Sequence, residues 1–452
     1  MSDVHTRAAL NDIYAEIISR NPEHRFVPTL DRVRRVCELL GDPQHAYKVV
    51  HLTGTNGKTS TARMVESLVR EHGLRTGLFT SPHLTSVTER IQIDGAPISD
   101  ERFVEVWEDV APYIGVADRE SLESGGPRLS FFEVLTVMAF AAFADAPVDV
   151  AVIEVGMGGE WDSTNVADGE VAVLTPVDLD HMEWLGDTIE KIAITKSGII
   201  KPGATAVTSF QPDAAERAIA ARASQVGARL IREGHELELV SQQRAVGGQL
   251  LDLRTPAGLY TEVFLPLHGE HMGHNALVAL AAVEALITGG GALSAAIVEA
   301  GFAGVTSPGR LELVRSSPTV MVDVAHNPHG IESLARTLQD AFDFTRLVGV
   351  VGVMADKDAE GILAGLEPVL AEIVLTRNSS PRCADPNDLR DMAAEIFGDE
   401  RVHVVERLDQ ALQTATDLAE QHDVVGVGYG SGVLVTGSVI TAADARILLG
   451  RG

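Results

Sequence analysis

The chain has 452 residues, of which 45% are hydrophobic, and it carries a formal net charge of −28 at pH 7. This length predicts two or three domains with large buried cores. The strong negative charge argues against non-specific binding to nucleic acid or to an acidic membrane surface, so an anionic substrate needs a local basic cluster.

Neither the cysteines nor the apolar segments indicate an exported or membrane protein. Cys37 and Cys383 are the only cysteines. Two are too few for a disulfide framework or a thiolate metal cluster, and they fit a reducing compartment. The longest apolar region, residues 131–143, contains Glu133 and is too short to cross a bilayer. The first residues are polar and lack a secretory core, so we expect a cytoplasmic protein.

Residues 1–47 show the apolar spacing of two helices, one around Leu10 to Ile18 and one around Leu30 to Leu40. Between them, Thr29 and Asp31 have the residue types that cap a helix, and in isolation we interpret them that way.

A phosphate-binding loop follows an apolar strand that begins at Val49. Its residues are Gly54, Thr55, Asn56, Gly57, Lys58, Thr59 and Ser60, and a helical pattern comes after them. Backbone N–H groups and the positive end of a helix bind an anion, a lysine neutralises its charge, and a hydroxyl can ligate Mg²⁺. The common Gly-x4-Gly-Lys spacing does not hold, because Leu52 stands where its first glycine belongs. We therefore favour a nucleotide site of a shorter variant over a surface turn.

Three further strands end in polar residues, and such residues share one edge of an open α/β sheet, where ligands bind. The first strand ends at Thr80, so Ser81 is either a metal ligand or part of a Ser-Pro turn. The second runs from Val148 to Glu154 and leads into a glycine-rich turn. Glu154 has the position and charge of a Mg²⁺ ligand, with a structural carboxylate as the alternative. The third leads to Asp180 and His181, for which we favour a metal role over a solvated turn.

The segments between these strands have simpler interpretations. We predict a helix at 99–113, a polar loop at 115–128, and a long apolar helix opened by Ser130 and Glu133, which fit a capping box. Lys196 lies in a helix that closes at Gly198, and its spacing indicates only a solvated lysine. Residues 229–265 indicate a β-rich insertion. We disfavour a zinc site at His268, His271 and His274, because they lie on a glycine-interrupted loop without cysteines.

A domain boundary is predicted at Thr306–Arg310, because Gly301 to Gly304 and Ser307-Pro308-Gly309 break the pattern. Strands and helices alternate after it, with strands expected at 319–324, 346–352, 372–376, 401–405 and 423–428. The fold class is α/β. We expect residues 1–305 to form a P-loop-type domain with a central, mostly parallel sheet, and residues 306–452 to form a smaller doubly wound domain.

Four motifs in order carry a family resemblance: Gly54-Thr55-Asn56-Gly57-Lys58, Thr80-Ser81-Pro82-His83-Leu84, Glu154-Val155-Gly156-Met157-Gly158-Gly159, and Asp323-Val324-Ala325-His326-Asn327-Pro328. Together they resemble the folylpolyglutamate synthase/dihydrofolate synthase family, within the Mur-ligase-like group. The resemblance extends from about Thr29 to about Ser438.

The resemblance implies roles for particular residues. Gly54 to Ser60 would hold the ATP phosphates, with Asn275, Arg310 and Asp323 as further ATP contacts. Ser81, Glu154 and His181 would ligate two Mg²⁺ ions, and Lys196 would be the carbamylated lysine of the group. The pteridine site would be lined by Thr29, Leu30, Asp31, Arg32, Ser130, Phe131, Phe132, Glu133, Trp161, Asp162 and Ser163. His326 and Ser438 would lie near the incoming glutamate.

Two departures from the family pattern stand near this site. Glu160 replaces an arginine before the Trp-Asp pair, and Thr195-Lys196-Ser197-Gly198 replaces Glu-Lys-Ala-Gly. The first bears on pterin or phosphate contacts and the second on the surroundings of Lys196.

The implied activity is an ATP-dependent ligase that adds L-glutamate to a folate or dihydropteroate carboxylate through an acyl phosphate. Lys58, His326 and carbamylated Lys196 would be its catalytic residues, and the expected protein is a monomer without nucleic-acid or membrane partners. The first alternative is a Mur-type muropeptide ligase, although no N-terminal uridine-nucleotide domain precedes the phosphate loop. The second is a non-catalytic P-loop regulator, which would have no need of the motif at Asp323–Pro328.

Overall fold

The computed structural model describes residues 3–20, 28–421 and 430–450. The chain divides into two compact units, with the main division between Val305 and Thr306. The first unit comprises Met1–His83, Val87–Pro266 and Met272–Val305, and the second comprises Leu84–Ser86, Leu267–His271 and Thr306–Gly452. Each predicted domain is one continuous segment, whereas the C-terminal unit includes two short stretches that precede Thr306 in the sequence.

An eight-stranded sheet forms the centre of the first unit, in the order β4-β3-β2-β5-β1-β6-β7-β8. Its pairings are parallel except for β2–β3 and β3–β4. The strands are β1 (Lys48–Thr53), β2 (Thr76–Phe79), β3 (Ile91–Ile93), β4 (Ala96–Pro97), β5 (Val150–Glu154), β6 (Val171–Leu174), β7 (Thr205–Thr208) and β8 (Arg229–Arg232). The mostly parallel sheet predicted from the sequence is confirmed.

Ten helices pack around this sheet in the described part of the first unit. They are α1 (Asp3–Ile18), α2 (Asp31–Leu39), α3 (Lys58–Glu71), α4 (Asp100–Glu123), α5 (Phe131–Asp145), α6 (Met182–Leu185), α7 (Ile189–Ser197), α8 (Asp213–Val226), α9 (Glu270–Thr288) and α10 (Ala295–Ala303). Within residues 3–20, 28–421 and 430–450, none of the helices is long and apolar enough to cross a membrane.

The order of the central strands decides where the site lies. β1 pairs in parallel with β5 on one side and β6 on the other, and all of β5 and β6 is buried. Such continuous apolar strands are typical of a parallel sheet covered on both faces. Because parallel strands end at the same edge, the loops after β1, β2, β5 and β6 meet there.

The predicted polar loop at 115–128 is wrong, because α4 continues to Glu123. Ile114 and Ala117 extend its buried face. Asp118 is also buried, and its carboxylate accepts hydrogen bonds from the Leu129 backbone N–H at 2.7 Å and from Arg20 at 2.8 Å. Asp118 therefore lies within a helix, and its hydrogen bonds come from residues outside that helix.

The predicted β-rich insertion begins later than expected. Arg229–Arg232 joins the large sheet as β8, in parallel with β7, because Leu230 and Ile231 pack on that sheet's core. The insertion proper is a three-stranded antiparallel sheet of β9 (Glu238–Ala245), β10 (Gly248–Thr255) and β11 (Gly258–Leu265).

The predicted break at Gly301 is also wrong, because this glycine lies inside α10. A Cβ there would stand 2.7 Å from Leu68 Cδ2 and 3.1 Å from Leu68 Cα on α3. Glycine serves here for close packing of two helices.

The second unit has a six-stranded sheet in the order β12-β13-β17-β14-β15-β16, parallel except for β12. Its strands are β12 (Glu312–Ser316), β13 (Thr319–Val322), β14 (Arg346–Val351), β15 (Glu372–Leu375), β16 (Val402–Val404) and β17 (Ser431–Thr436). Its helices are α11 (Pro328–Ala341), α12 (Ala359–Leu366), α13 (Pro386–Phe397), α14 (Leu408–Glu420) and α15 (Val439–Leu448).

The doubly wound C-terminal domain is thus confirmed, with two differences at its ends. The sequence did not predict the antiparallel edge strand β12 or the final helix α15. The strand predicted at 423–428 lies outside the described residues.

Candidate active site

The phosphate loop connects β1 to α3 and turns at Gly57, whose φ of +84° favours glycine. A Cβ on Gly57 would also stand 2.8 Å from Asn275 Oδ1, so Asn275 packs directly against the loop. Lys58 Nζ donates to the carbonyl oxygens of Gly54 at 2.9 Å and Thr55 at 3.0 Å. Its ammonium group therefore lies over the loop, where it can neutralise a bound phosphate.

The carboxylate of Glu154 lies at the end of β5 and is almost fully buried. The hydroxyl of Thr59, in the first turn of α3, lies 3.0 and 2.9 Å from its two oxygens. The backbone N–H of Ser81 donates to the same carboxylate at 3.4 Å. The structure thus brings together three residues that the sequence placed after separate strands.

A cleft opens beside this loop, and His181 and Lys196 both line it. The other residues of its wall are Thr53, Gly54, Thr55, Lys58, Val155, Gly156, Met157, Gly158, Asp180 and Leu185. Lys196 Nζ donates to Gly54 O at 2.8 Å. Burial and the nearby charge of Lys58 lower the pKa of Lys196 to about 7. The interpretation of Lys196 as a solvated lysine is wrong, since its amine is buried and a large fraction of it is neutral near pH 7.

The oxygen donors at Glu154 are those that Mg²⁺ prefers. Among the residues that the structure describes, no three His, Cys, Asp or Glu side chains lie close enough to enclose a metal ion. Mg²⁺ does not need such a cage, because it keeps several waters and binds one or two carboxylates together with substrate phosphates. The carboxylate of Glu154 with the hydroxyl of Thr59 fits that requirement. The Ser81 backbone adjoins the same carboxylate, and His181 lies in the wall of the cleft.

The three segments assigned to the pteridine site also come together. Arg32 forms a buried ion pair with Glu133 at 2.9 Å, and Ser130 and Glu133 form the predicted capping box of α5. Ser163 lies 2.8 Å from Thr136 on α5. These polar groups are therefore held in place by contacts within the protein.

The apolar members of the same set flank the glycine-rich turn. A Cβ on Gly156 would lie 2.6 Å from the Phe132 ring, which also packs on Phe79 at 5.6 Å between centroids. The guanidinium of Arg90 lies 5.0 Å from the Phe131 ring centre. Arg90 was not predicted, and the only signal for it was its place in a short strand-like segment.

Other predicted members of the set lie at its margins. Thr29 Oγ1 donates to the Asp31 carboxylate at 2.8 Å and accepts from the Asp31 N–H at 3.1 Å, a local turn before α2. Leu30 is the residue before that helix. Trp161 packs on the core near Leu185. The backbone of Glu160 approaches Gly198 so closely that a Cβ on that glycine would lie 2.6 Å from Glu160 Cα.

The second unit contains its own group of predicted residues at the carboxyl ends of β13 and β17. The Asp323 carboxylate accepts from the N–H groups of Leu311 at 2.9 Å and Ala325 at 2.8 Å. Burial raises its pKa, and the charge of Arg310 opposes that rise. His326 Nδ1 lies 2.9 Å from Val324 O. Ser438 caps α15 by accepting from Thr441 N at 3.0 Å, and it also accepts from Asn378 Nδ2 at 3.1 Å.

The histidines that we disfavoured as zinc ligands make other interactions. His271 Nδ1 hydrogen-bonds to Ser333 at 3.0 Å, and His274 pairs closely with Glu233.

Comparisons with known proteins agree across both units. The model of the Mur ligase middle domain matches residues 52–283, and that of the Mur ligase, glutamate ligase domain, matches residues 309–432. The chain is 48% identical to the dihydrofolate synthase/folylpolyglutamate synthase of Mycobacterium tuberculosis, over 98% of this chain and 94% of that protein. The protein of the same description from Bacillus subtilis is 34% identical, over 82% of this chain and 85% of its own length.

A solved structure gives the same result for the fold. The structure of Mycobacterium tuberculosis folylpolyglutamate synthase complexed with ADP matches with a TM-score of 0.94 at 48% identity, and the match covers 99% of both chains.

Proposed function

This chain belongs to the dihydrofolate synthase/folylpolyglutamate synthase family of Mur ligases, and we propose that it joins L-glutamate to the carboxylate of dihydropteroate or of a reduced folate. It is an ATP-dependent ligase. The observation that carries the proposal is one sheet edge where the phosphate loop meets the Thr59–Glu154 pair and the glycine-rich turn after β5, against which Phe132 packs. A site of this kind can hold a nucleotide and a carboxylate acceptor side by side.

The reaction follows from that placement. The γ-phosphoryl group of ATP passes to the acceptor carboxylate, which gives an acyl phosphate and ADP. The amine of glutamate then attacks the acyl carbon, the amide forms and phosphate leaves. Phosphoryl transfer of this kind needs positioning and charge neutralisation more than a protein nucleophile. Lys58, the loop N–H groups and the N-terminus of α3 supply both.

Mg²⁺ neutralises developing charge on transferring phosphoryl oxygens when it is bound. Ser81, Glu154 and His181 would ligate a first and a second Mg²⁺ ion, and the hydroxyl of Thr59 beside Glu154 would be a further oxygen ligand. Lys196 would support that second ion as a carbamate. Its buried amine is a suitable nucleophile for CO₂, because burial and Lys58 favour the neutral form.

The second unit would bring the remaining groups to the reaction. Arg310 and Asp323 would contact ATP, as would Asn275 of the first unit. His326 and Ser438 would receive the incoming glutamate, with His326 positioning its amine or accepting a proton from it. A monomeric state and a cytoplasmic location stay predictions.

The test is phosphate release from Mg-ATP with glutamate, measured separately with dihydropteroate and with tetrahydrofolate as acceptor. Release with both establishes a bifunctional enzyme, and release with one assigns that activity alone. If protein that still binds ATP releases no phosphate with either acceptor, the proposal is overturned in favour of a muropeptide ligase or a nucleotide-binding regulator.

The variant Lys58→Ala should abolish this turnover and leave the fold intact. Lys48→Ala is the matched control, because Lys48 lies exposed at the start of β1, the strand that leads into the phosphate loop. Near-normal phosphate release from Lys58→Ala would show that the nucleotide site is elsewhere.

A further inference from the structure

A buried histidine lies inside the strand that leads to the phosphate loop. His51 is in the middle of β1 and is completely buried. Its Nε2 atom lies 2.8 Å from the hydroxyl of Thr164, which is equally buried. A buried polar side chain destabilises a fold unless its hydrogen bonds are made, so a histidine at this position needs a reason.

The hydrogen bonds around Thr164 determine which ring nitrogen carries the proton. Thr164 Oγ1 lies 2.5 Å from Asp162 Oδ1, and that oxygen also accepts from Thr164 N at 3.0 Å. The other carboxylate oxygen accepts from Met157 N at 2.9 Å. The Thr164 hydroxyl therefore donates its proton to Asp162 and must accept one from His51 Nε2.

The second ring nitrogen of His51 supports this assignment. Within the described part of the chain, His51 Nδ1 is buried without a hydrogen-bond partner. A neutral ring with its proton on Nε2 leaves only a lone pair there. Burial, with a smaller contribution from the charge of Lys201, lowers the pKa of His51 to about 3, so the ring stays neutral.

Asp162 connects the two ends of the loop that contains Trp161–Ser163, the segment assigned to the pteridine site. Its carboxylate binds Met157, which lines the phosphate cleft, and Thr164, which follows Trp161–Ser163. Thr53, two residues after His51 on β1, donates to Gly158 O at 2.6 Å. Side chains two apart on a strand share a face. His51 and Thr53 thus attach both ends of the same loop to the strand that ends in the phosphate loop.

We propose that His51 and Thr164 are positioning residues, which hold the loop of residues 156–163 in fixed register with the phosphate loop and so align the acceptor carboxylate with the γ-phosphate. The proposal rests on the proposed function, since that function places the acceptor at this loop. A small misplacement of reacting groups lowers the rate steeply. Loss of this hydrogen-bond chain should therefore affect the acceptor step and leave nucleotide binding unchanged.

The kinetic test compares Thr164→Val with Thr164→Ser. The valine variant should raise the acceptor KM and lower kcat, for a loss of about tenfold or more in kcat/KM. Its Kd for ATP, measured by equilibrium binding, should change less than about twofold. The serine variant keeps the hydroxyl and should recover most of the loss. Likewise His51→Gln, which keeps a hydrogen-bond donor, should have a higher kcat/KM for the acceptor than His51→Phe.

Thr208→Val is the control for removing a buried threonine hydroxyl, because Thr208 lies on β7 and bonds to Ser209 O and Gln211. It should change thermal stability without changing the acceptor KM. Equal acceptor kinetics in Thr164→Val and Thr208→Val would overturn the proposal. So would serine and valine variants at Thr164 that behave alike.

The wild-type protein gives an independent measurement. In nitrogen NMR of ¹⁵N-histidine-labelled protein, the ring signal that disappears in His51→Gln should show a proton on Nε2 only and stay unchanged between pH 5 and 8. A proton on Nδ1 of His51 overturns the hydrogen-bond chain even in an active enzyme. Absence of glutamate-dependent turnover with either acceptor, with this tautomer present, overturns the proposed function and with it the positioning role.

Discussion

The hydroxyl of Thr59 lies within hydrogen-bonding distance of both carboxylate oxygens of Glu154, at 3.0 and 2.9 Å. One residue belongs to the first turn of α3 and the other ends β5. The carboxylate, which also accepts from the Ser81 N–H, offers the oxygen ligands that Mg²⁺ prefers. This relationship defines the point where the phosphate end of the nucleotide and Mg²⁺ would meet.

Glu154→Gln should therefore lower kcat by about a hundredfold, because it removes the charge and keeps the shape of the side chain. The Mg²⁺ concentration for half-maximal rate should rise about tenfold. Phosphate release measured across a Mg²⁺ titration gives both values. Glu71→Gln, at the exposed end of α3, is the control and should match the wild type. An unchanged Mg²⁺ requirement would remove Glu154 from the metal site.

Lys196 should make stability depend on pH. Its pKa is about 7 in the folded protein and 10.5 without the fold, so between these values the unfolded chain binds more protons. The free energy of unfolding then rises with pH across this window. Below pH 7 the folded protein bears the full cost of burying a charged amine. In CO₂-free buffer, Lys196→Met should be more stable than wild type at pH 6, by at most about 5 kcal/mol, and this advantage should shrink by pH 10.

Urea unfolding at several pH values measures the difference between the two proteins. Lys191→Met, on the exposed face of the same helix, controls for the change of residue type. A stability difference for Lys196→Met that is the same at pH 6 and pH 10 would contradict the buried, partly neutral amine.

The two residues Glu154 and Lys196 show what sequence reasoning could reach. Glu154 follows a continuous apolar strand, and parallel strands end at one edge, so its place beside the phosphate loop followed from local pattern. Lys196 lies on a helix whose spacing carries no such information. Its burial results from contact with Gly54, far away in the sequence, and only the family resemblance pointed to it.

Tertiary packing also explains the errors in the fold. Asp118 lies in a polar stretch, and its charge is balanced by Arg20, which no local pattern relates to it. Gly301 was interpreted as a break because glycine has low helix propensity, whereas the packing of α10 on α3 requires it. The hydrogen bond between His51 and Thr164 was likewise invisible, since a histidine in a strand has no characteristic spacing.

Gly301→Ala should destabilise the first unit. The added Cβ meets the Leu68 backbone at 3.1 Å, which cannot move without shifting α3. We expect a loss of about 1–3 kcal/mol in the free energy of unfolding, measured by urea denaturation. Gly304→Ala is the matched control, because the nearest atom to its Cβ is 3.5 Å away. Equal stability of the two variants would show that the helices separate easily.

Ser438→Ala should weaken glutamate use specifically. The hydroxyl caps α15 and accepts from Asn378, so its loss removes a cap worth about 1 kcal/mol as well as a polar group at the carboxyl end of β17. If that group receives glutamate, the glutamate KM should rise about tenfold while the KM for ATP stays within about twofold. Steady-state phosphate release with each substrate varied in turn separates these effects.

Asp358→Ala removes a comparable cap, the one that accepts from Gly361 N at the start of α12 in the same unit. It should lower stability by a similar amount, about 1 kcal/mol, and leave the glutamate KM unchanged. Both variants lose a helix cap in the same unit. If the glutamate KM rises in both, the cause is the lower stability of that unit. A rise confined to Ser438→Ala would place this hydroxyl at the glutamate site.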